Sequence, residues 1–154
     1  MTQIARAEDV ANEIAARLAL VLADNGAETN LGAAVYHGRR RVDDEMIPCA
    51  VIIEGEDRPD DRVVGADVSV EQRYVLFAYV PCDPANPNLA AHAAIRDLKR
   101  AVFLTAGKPD RYWGRKVRGV RYHGRDIGPR GDGAAFVLAA IEIGVSYVEN
   151  LAAP

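Results

Sequence analysis

The residues of this chain with types suited to chemistry are its three histidines, its two cysteines and several adjacent carboxylates. His37 and His123 stand in a repeated tetrapeptide, Tyr-His-Gly-Arg, at 36–39 and 122–125. Two imidazoles brought together can hold a metal ion or pass a proton. Neither copy has the spaced cysteine or carboxylate partner of a zinc site. The simpler reading is that His-Gly ends a strand twice, glycine supplying a positive φ. Cys49 and Cys82 are too few for a metal site or a disulfide framework. Cys49 reads as a small buried thiol, and Cys82, between prolines, as a partly exposed one. Asp43-Asp44 and Asp60-Asp61 lack the alternating oxygen ligands of a calcium loop. Arg130-Gly131-Asp132 spells an adhesion tripeptide but lies among glycines and reads as turn chemistry.

Motifs for enzymes do not assemble. Gly107-Lys108 is followed by proline rather than Ser or Thr, and no glycine stands five residues earlier, so it is not a phosphate-binding loop. G-x-S-x-G, H-E-x-x-H and C-x-x-C do not occur in the sequence. No cofactor is implied.

Charge is more informative. The net charge of −3 argues against a sequence-independent hold on nucleic acid. It averages a polarised chain, −7 over residues 1–70 and +4 over 71–154. Residues 54–67 hold six acidic and two basic side chains, residues 108–130 eight basic and two acidic. The basic stretch could meet nucleic acid, the least favoured of three readings. The charges could make a dipolar monomer surface. Or each segment could meet its opposite on a neighbouring copy, a heterologous contact that closes into a ring if the rotation allows. The candidate interface is then Arg39, Arg40, Arg41, Glu54, Glu56, Asp57, Asp60, Asp61, Arg115, Arg118, Arg121, Arg125, Arg130 and Asp132.

The elements that must position these residues follow from periodicity. Val10, Ile14, Leu18 and Val21 mark an amphipathic helix over 4–23, with Glu13 and Arg17 paired on its other side and Gly26 as terminator. Strands are predicted at 33–37 and 48–54, joined as a hairpin through the polar stretch 38–45. Residues 55–68 read as an exposed acidic loop. A long strand follows over 69–80, its second half apolar on both faces and therefore covered on both. Asn86 and Pro87 open a second helix, filled by 89–105 and stopped by Gly107-Lys108-Pro109. Strands at 115–123 and 135–148 close the chain, the last with Val137, Ala139, Ile141, Ile143, Val145 and Tyr147 on one face.

Helix, three strands, helix, two strands is an α+β order. Two helices should pack on one face of a mostly antiparallel sheet of about five strands. The 154 residues fit a single domain. No apolar run is long enough to span a membrane, and the N-terminal residues do not read as a signal peptide, so a cytoplasmic origin is expected.

Several phrases together resemble the tail terminator (minor tail) proteins of long-tailed bacteriophages, the family of the lambda tail terminator. They are the opening helix to Leu22, the block 47–57, the strand 72–80 leading through Asp83-Pro84 into 91–99, and the segments 120–127, 129–133 and 141–149. The resemblance covers nearly the whole chain, in element order and local phrases. It implies a structural role without catalysis: a hexameric ring that caps the tail tube, stops its polymerisation and presents a surface to the head connector. The implied partners are further copies of the chain, the tail tube protein and a head completion protein, with DNA only as passing cargo. The implied location is the bacterial host cytoplasm during assembly, then the head–tail junction of the virion. Head–tail joining proteins of related fold, and a small enzyme or ligand-binding domain using His37 and His123, are the alternatives.

Overall fold

The computed structural model describes residues 2–153, apart from the side chains of Asp61 and Val63. The fold is α+β. Helices α1 (Ala7–Ala19) and α2 (Pro87–Phe103) lie on one face of a five-stranded sheet. Its strands are β1 (Val35–His37), β2 (Cys49–Val64), β3 (Asp67–Pro81), β6 (Gly119–Ile127) and β7 (Phe136–Asn150), in the order β1-β2-β3-β7-β6. Two short strands, β4 (Leu104–Thr105) and β5 (Lys108–Pro109), form a separate hairpin after α2. No helix of the described residues is long and apolar enough to cross a membrane.

The core follows the alternation of the strands. Val70, Tyr74, Leu76, Ala78 and Val80 of β3 line up with the odd-numbered residues 137–147 of β7, and all are buried under the helices. The helices contribute Val10, Ile14 and Leu18, and Ala91, Ile95, Leu98 and Val102, at helical spacing. Each large aliphatic side chain buried this way contributes about 1.5–3 kcal/mol.

Two expectations about the strands are corrected. β1 and β2 pair in parallel, not as a hairpin. The connection over 38–48 is long enough to return the chain to the level where β1 began, and a short helical turn at Asp44–Met46 completes that return. Residues 55–64 are not a loop. β2 runs on through them, paired with β3 as far as Val64 opposite Asp67, with bulges between Glu54 and Asp57 and between Pro59 and Val63. The charged residues mislead because a free sheet edge tolerates them, and a proline there costs no ladder hydrogen bond. The result is a projecting arm of β2, β3 and the end of β7.

A third correction concerns the second half of β3. Val75, Phe77 and Tyr79 are half-buried on the face away from the helices, not covered by a second layer. Burial raises the Tyr79 phenol above its ordinary value, with Cys49, its register partner, adding to the rise.

The helix ends are also informative. α1 stops at Ala19 rather than near 23, and a separate helical turn, Ala23–Asn25, ends at Gly26. α2 gives way at Leu104 to the β4–β5 hairpin, whose two turn residues, Ala106 and Gly107, both have positive φ.

Two polar side chains, one buried and one half-buried, fasten this layer. The Asp97 carboxylate, 2% exposed, accepts hydrogen bonds from the Glu28 and Thr29 amides and the Thr29 hydroxyl at 2.7–3.2 Å. Asp97→Ala would orphan three donors and is expected to cost about 2–3 kcal/mol, measured as a urea-midpoint shift at constant slope. Arg17 is not on the solvent side as predicted. Its guanidinium pairs with Glu13 at 3.1 Å, donates to the Leu104 carbonyl at 3.0 Å and stacks 4.9 Å from the Trp113 ring. It thus ties α1 to the C-terminal end of α2, where a cation is favoured. Arg17→Ala is expected to lower stability by about 2 kcal/mol, whereas Arg6→Ala, exposed at the start of the helix, should change it by less than about 0.5 kcal/mol.

Glu28 bridges Arg96 and Arg100 on the surface at 2.8 and 3.0 Å. The Arg96 hydrogen bond holds its carboxyl down at about 2. A depressed carboxyl stabilises above its ordinary range, so this small contribution is lost only as pH falls toward that value.

Candidate subunit interface

Strand order places the two charged segments at opposite edges of one sheet. Beyond Glu54, β2 has no strand on its outer side, because β1 covers only Ala50 to Ile52. β6 is the other edge. Glu54, Glu56, Asp57 and Asp60 therefore line one edge, and Arg121 and Arg125, with Arg118 just before the strand, line the other. All seven are exposed.

Register sets their heights. Glu54 lies opposite Tyr74, which lies opposite Ile143, which lies opposite Tyr122. Arg58, Glu71, Ser146 and Gly119 make a second row of the same kind. Glu54, Glu56 and Asp57 thus sit at the level of Arg118 and Arg121, three strands away. At about 4.8 Å per spacing, the three spacings from β2 to β6 put the edges roughly 14 Å apart, too far for their side chains to pair within one subunit. Among the described residues, Glu54, Glu56, Asp57, Asp60, Arg115, Arg118 and Arg121 form no ion pair.

The two edges differ in backbone. On β6 the Val120 N–H, on the outer side, is bonded by the Arg111 carbonyl at 2.8 Å. A strand added beside Val120 would find that amide already engaged, so the edge at Arg118–Arg121 offers its side chains. The acidic edge carries its charge beside buried phenols: burial, then Glu149, Asp57 and Glu54, push the Tyr147 hydroxyl up to about 12.

The remaining candidates divide. Arg115 is exposed in the turn before β6, with φ +70°. Arg125 approaches His92 Nδ1 at 3.3 Å. Arg39 stacks 4.7 Å over Tyr36, Arg40 is exposed, and Arg41 lies 3.6 Å from Asp43. These three stand beside the acidic edge, on the connection after β1, not with the other arginines. Arg130 donates to the Ala134 and Phe136 carbonyls and closes its own loop. Asp132 is exposed in that loop, at the end of β6 remote from Arg118. The Asp61 side chain lies outside the described residues.

His37 and His123 do not meet, since β1 and β6 are the outermost strands. His37-Gly38 does end a strand, but His123-Gly124 sits at a bulge within β6, opposite Glu142. There His123 joins a polar cluster on the open face that sequence reasoning missed. Arg73 bridges Glu71 at 3.1 Å and Glu142 at 2.8 Å, and His123 Nε2 lies 3.4 Å from Glu71. Gly144 makes the room, for a Cβ there would stand 2.5 Å from the Glu71 carboxyl carbon and 2.8 Å from His123 Nε2. The alternation of 142, 144 and 146 put these positions on one face, but the partners come from other strands.

No protein-family model matches the chain, and no curated protein does either.

Proposed function

We propose that the chain is a ring-forming structural protein of a bacteriophage or prophage tail, a tail terminator that caps the tail tube, stops its growth and offers the head-attachment surface. The resemblance in the sequence supplies the role. The observation that supports it physically is the pair of oppositely charged sheet edges at one level, too far apart to meet within a subunit. A contact between unlike edges is heterologous, and repeated by rotation it closes a ring. Complementary charge sets the register and speeds encounter. Such a ring leaves two unlike end surfaces, one for the tube and one for the head connector. Six copies at −3 each would repel other rings before assembly. DNA would pass through the lumen without a tight site.

Deletion of the gene in its phage tests the role. Overlong tail tubes seen by electron microscopy are the expected result. Tubes of normal length that fail to join heads would instead indicate a joining protein, and normal infectious particles would contradict both.

A further inference from the structure

The arm ends in an apolar tip. Val64 is 80% exposed, and Leu151, whose N–H bonds the Ala66 carbonyl at 2.8 Å, is 59% exposed. Two large apolar side chains at the end of a charged hairpin gain nothing from water. Between the C-terminal halves of α1 and α2 the same chain carries an open groove of about 530 Å³. Its walls are mostly apolar: Ala16, Leu20, Ala101, Leu104 and Trp113. Leu20 is itself 67% exposed.

The groove and the tip are related by the edges. Where the acidic edge of one subunit meets the basic edge of the next, the two strands run antiparallel, because β6 is parallel to β3 and β2 is antiparallel to it. The arm from Arg58 to Val64 then continues for up to about 20 Å at ~3.3 Å per residue. It passes beside the neighbour's residues that precede Gly119. Those residues include Trp113 and Lys116, one wall of the groove. Charge agrees as well. Asp67 and Glu149 flank the tip in the ladder, and exposed Arg115, without an ion pair among the described residues, adjoins that wall. The basic groups on the rim itself, Arg100 and Lys116, are already paired with Glu28 and Glu13. The attraction therefore comes chiefly from apolar burial.

We infer that the arm tip of one copy of this chain seats in the interhelical groove of the next, Val64 and Leu151 packing against Ala16, Leu20 and Leu104. The inference rests on the ring reading and adds to it a second contact, which locks the angle between subunits that the edges alone leave free.

Disulfide trapping in the full chain tests it. In a Cys82→Ser background, Val64→Cys with Leu20→Cys should give, under mild oxidation, a ladder of linked subunits extending beyond dimer and lost on reduction. Val64→Cys with Leu89→Cys, an exposed position outside the groove, should not. Glu56→Cys with Arg121→Cys reports on the edges independently. An edge ladder without a tip–groove ladder overturns the docking and leaves the ring standing; no ladder from either pair overturns both. Ala16→Trp, which fills the groove from an exposed helix position, should weaken self-association at least tenfold without lowering Tm. Unchanged association in that variant also overturns the docking.

Discussion

Trp113→Ala is expected to lower the stability of the subunit by about 3–5 kcal/mol, the range for removing a large buried aromatic side chain. Trp113 is 1% exposed, donates its indole N–H to the Val102 carbonyl at 2.8 Å and carries the Arg17 guanidinium on its ring. Its backbone is held at φ +50°. It pins the segment before β6 against the end of α2, so its loss leaves a cavity, an unpaired carbonyl and an unsupported cation at once. Small domains are stable by only about 5–15 kcal/mol, so the variant should be marginal at 37 °C. Urea unfolding followed by circular dichroism measures the effect. Trp113→Phe keeps most of the packing and loses the hydrogen bond, and should cost less. A Trp113→Ala variant within about 1 kcal/mol of the parent would show that this residue is not the keystone of the helix layer.

Reversing the basic edge, Arg118→Glu together with Arg121→Glu, is expected to weaken self-association about 100-fold while leaving the subunit folded. Both side chains are exposed and form no ion pair among the described residues, so folding loses little. In the ring they would face Glu54, Glu56 and Asp57, and like charges brought together across an interface cost several kcal/mol. A factor of 100 corresponds to about 2.8 kcal/mol. The attraction in the parent should itself weaken as salt rises and the screening length shortens. Sedimentation at low and high ionic strength reads both effects. Arg130→Glu, whose side chain closes its own loop, should disturb that loop and leave salt-dependent association unchanged.

Much of the fold was legible in the sequence because two periodicities carry it. The alternation of 137–147 identified the central strand and its buried face, and the spacing of Val10, Ile14 and Leu18 identified α1. What misled was composition standing in for geometry. The run 55–64 looks like a loop because it is charged and contains Pro59, yet the free outer edge of the arm accepts both. The pairing of β1 with β2 depends on the path of the connection over 38–48, which no local pattern encodes. Trp113 and Arg17 were missed for a related reason. Their partners lie on other elements, at Val102, Ala101 and Leu104, and only tertiary packing brings them together. Of the candidate interface, the opposite charge of two segments was legible, but that they lie exposed on opposite edges at one height required the register of four strands. Arg130 shows the limit of counting charge, since its guanidinium is spent on main-chain carbonyls.

A charge-swap pair tests most directly whether unlike edges join neighbouring subunits. One variant carries Arg118→Glu and Arg121→Glu; the other carries Glu56→Lys and Asp57→Lys. Each alone presents like charges at every contact of a ring. Mixed in equal amounts, they present only unlike ones, in alternation. Light scattering at low salt should give each variant alone the mass of a single 16.7 kDa subunit and the mixture a mass about six times that. If each variant assembles alone as the parent does, or the mixture stays monomeric where the parent assembles, the edges do not join the subunits.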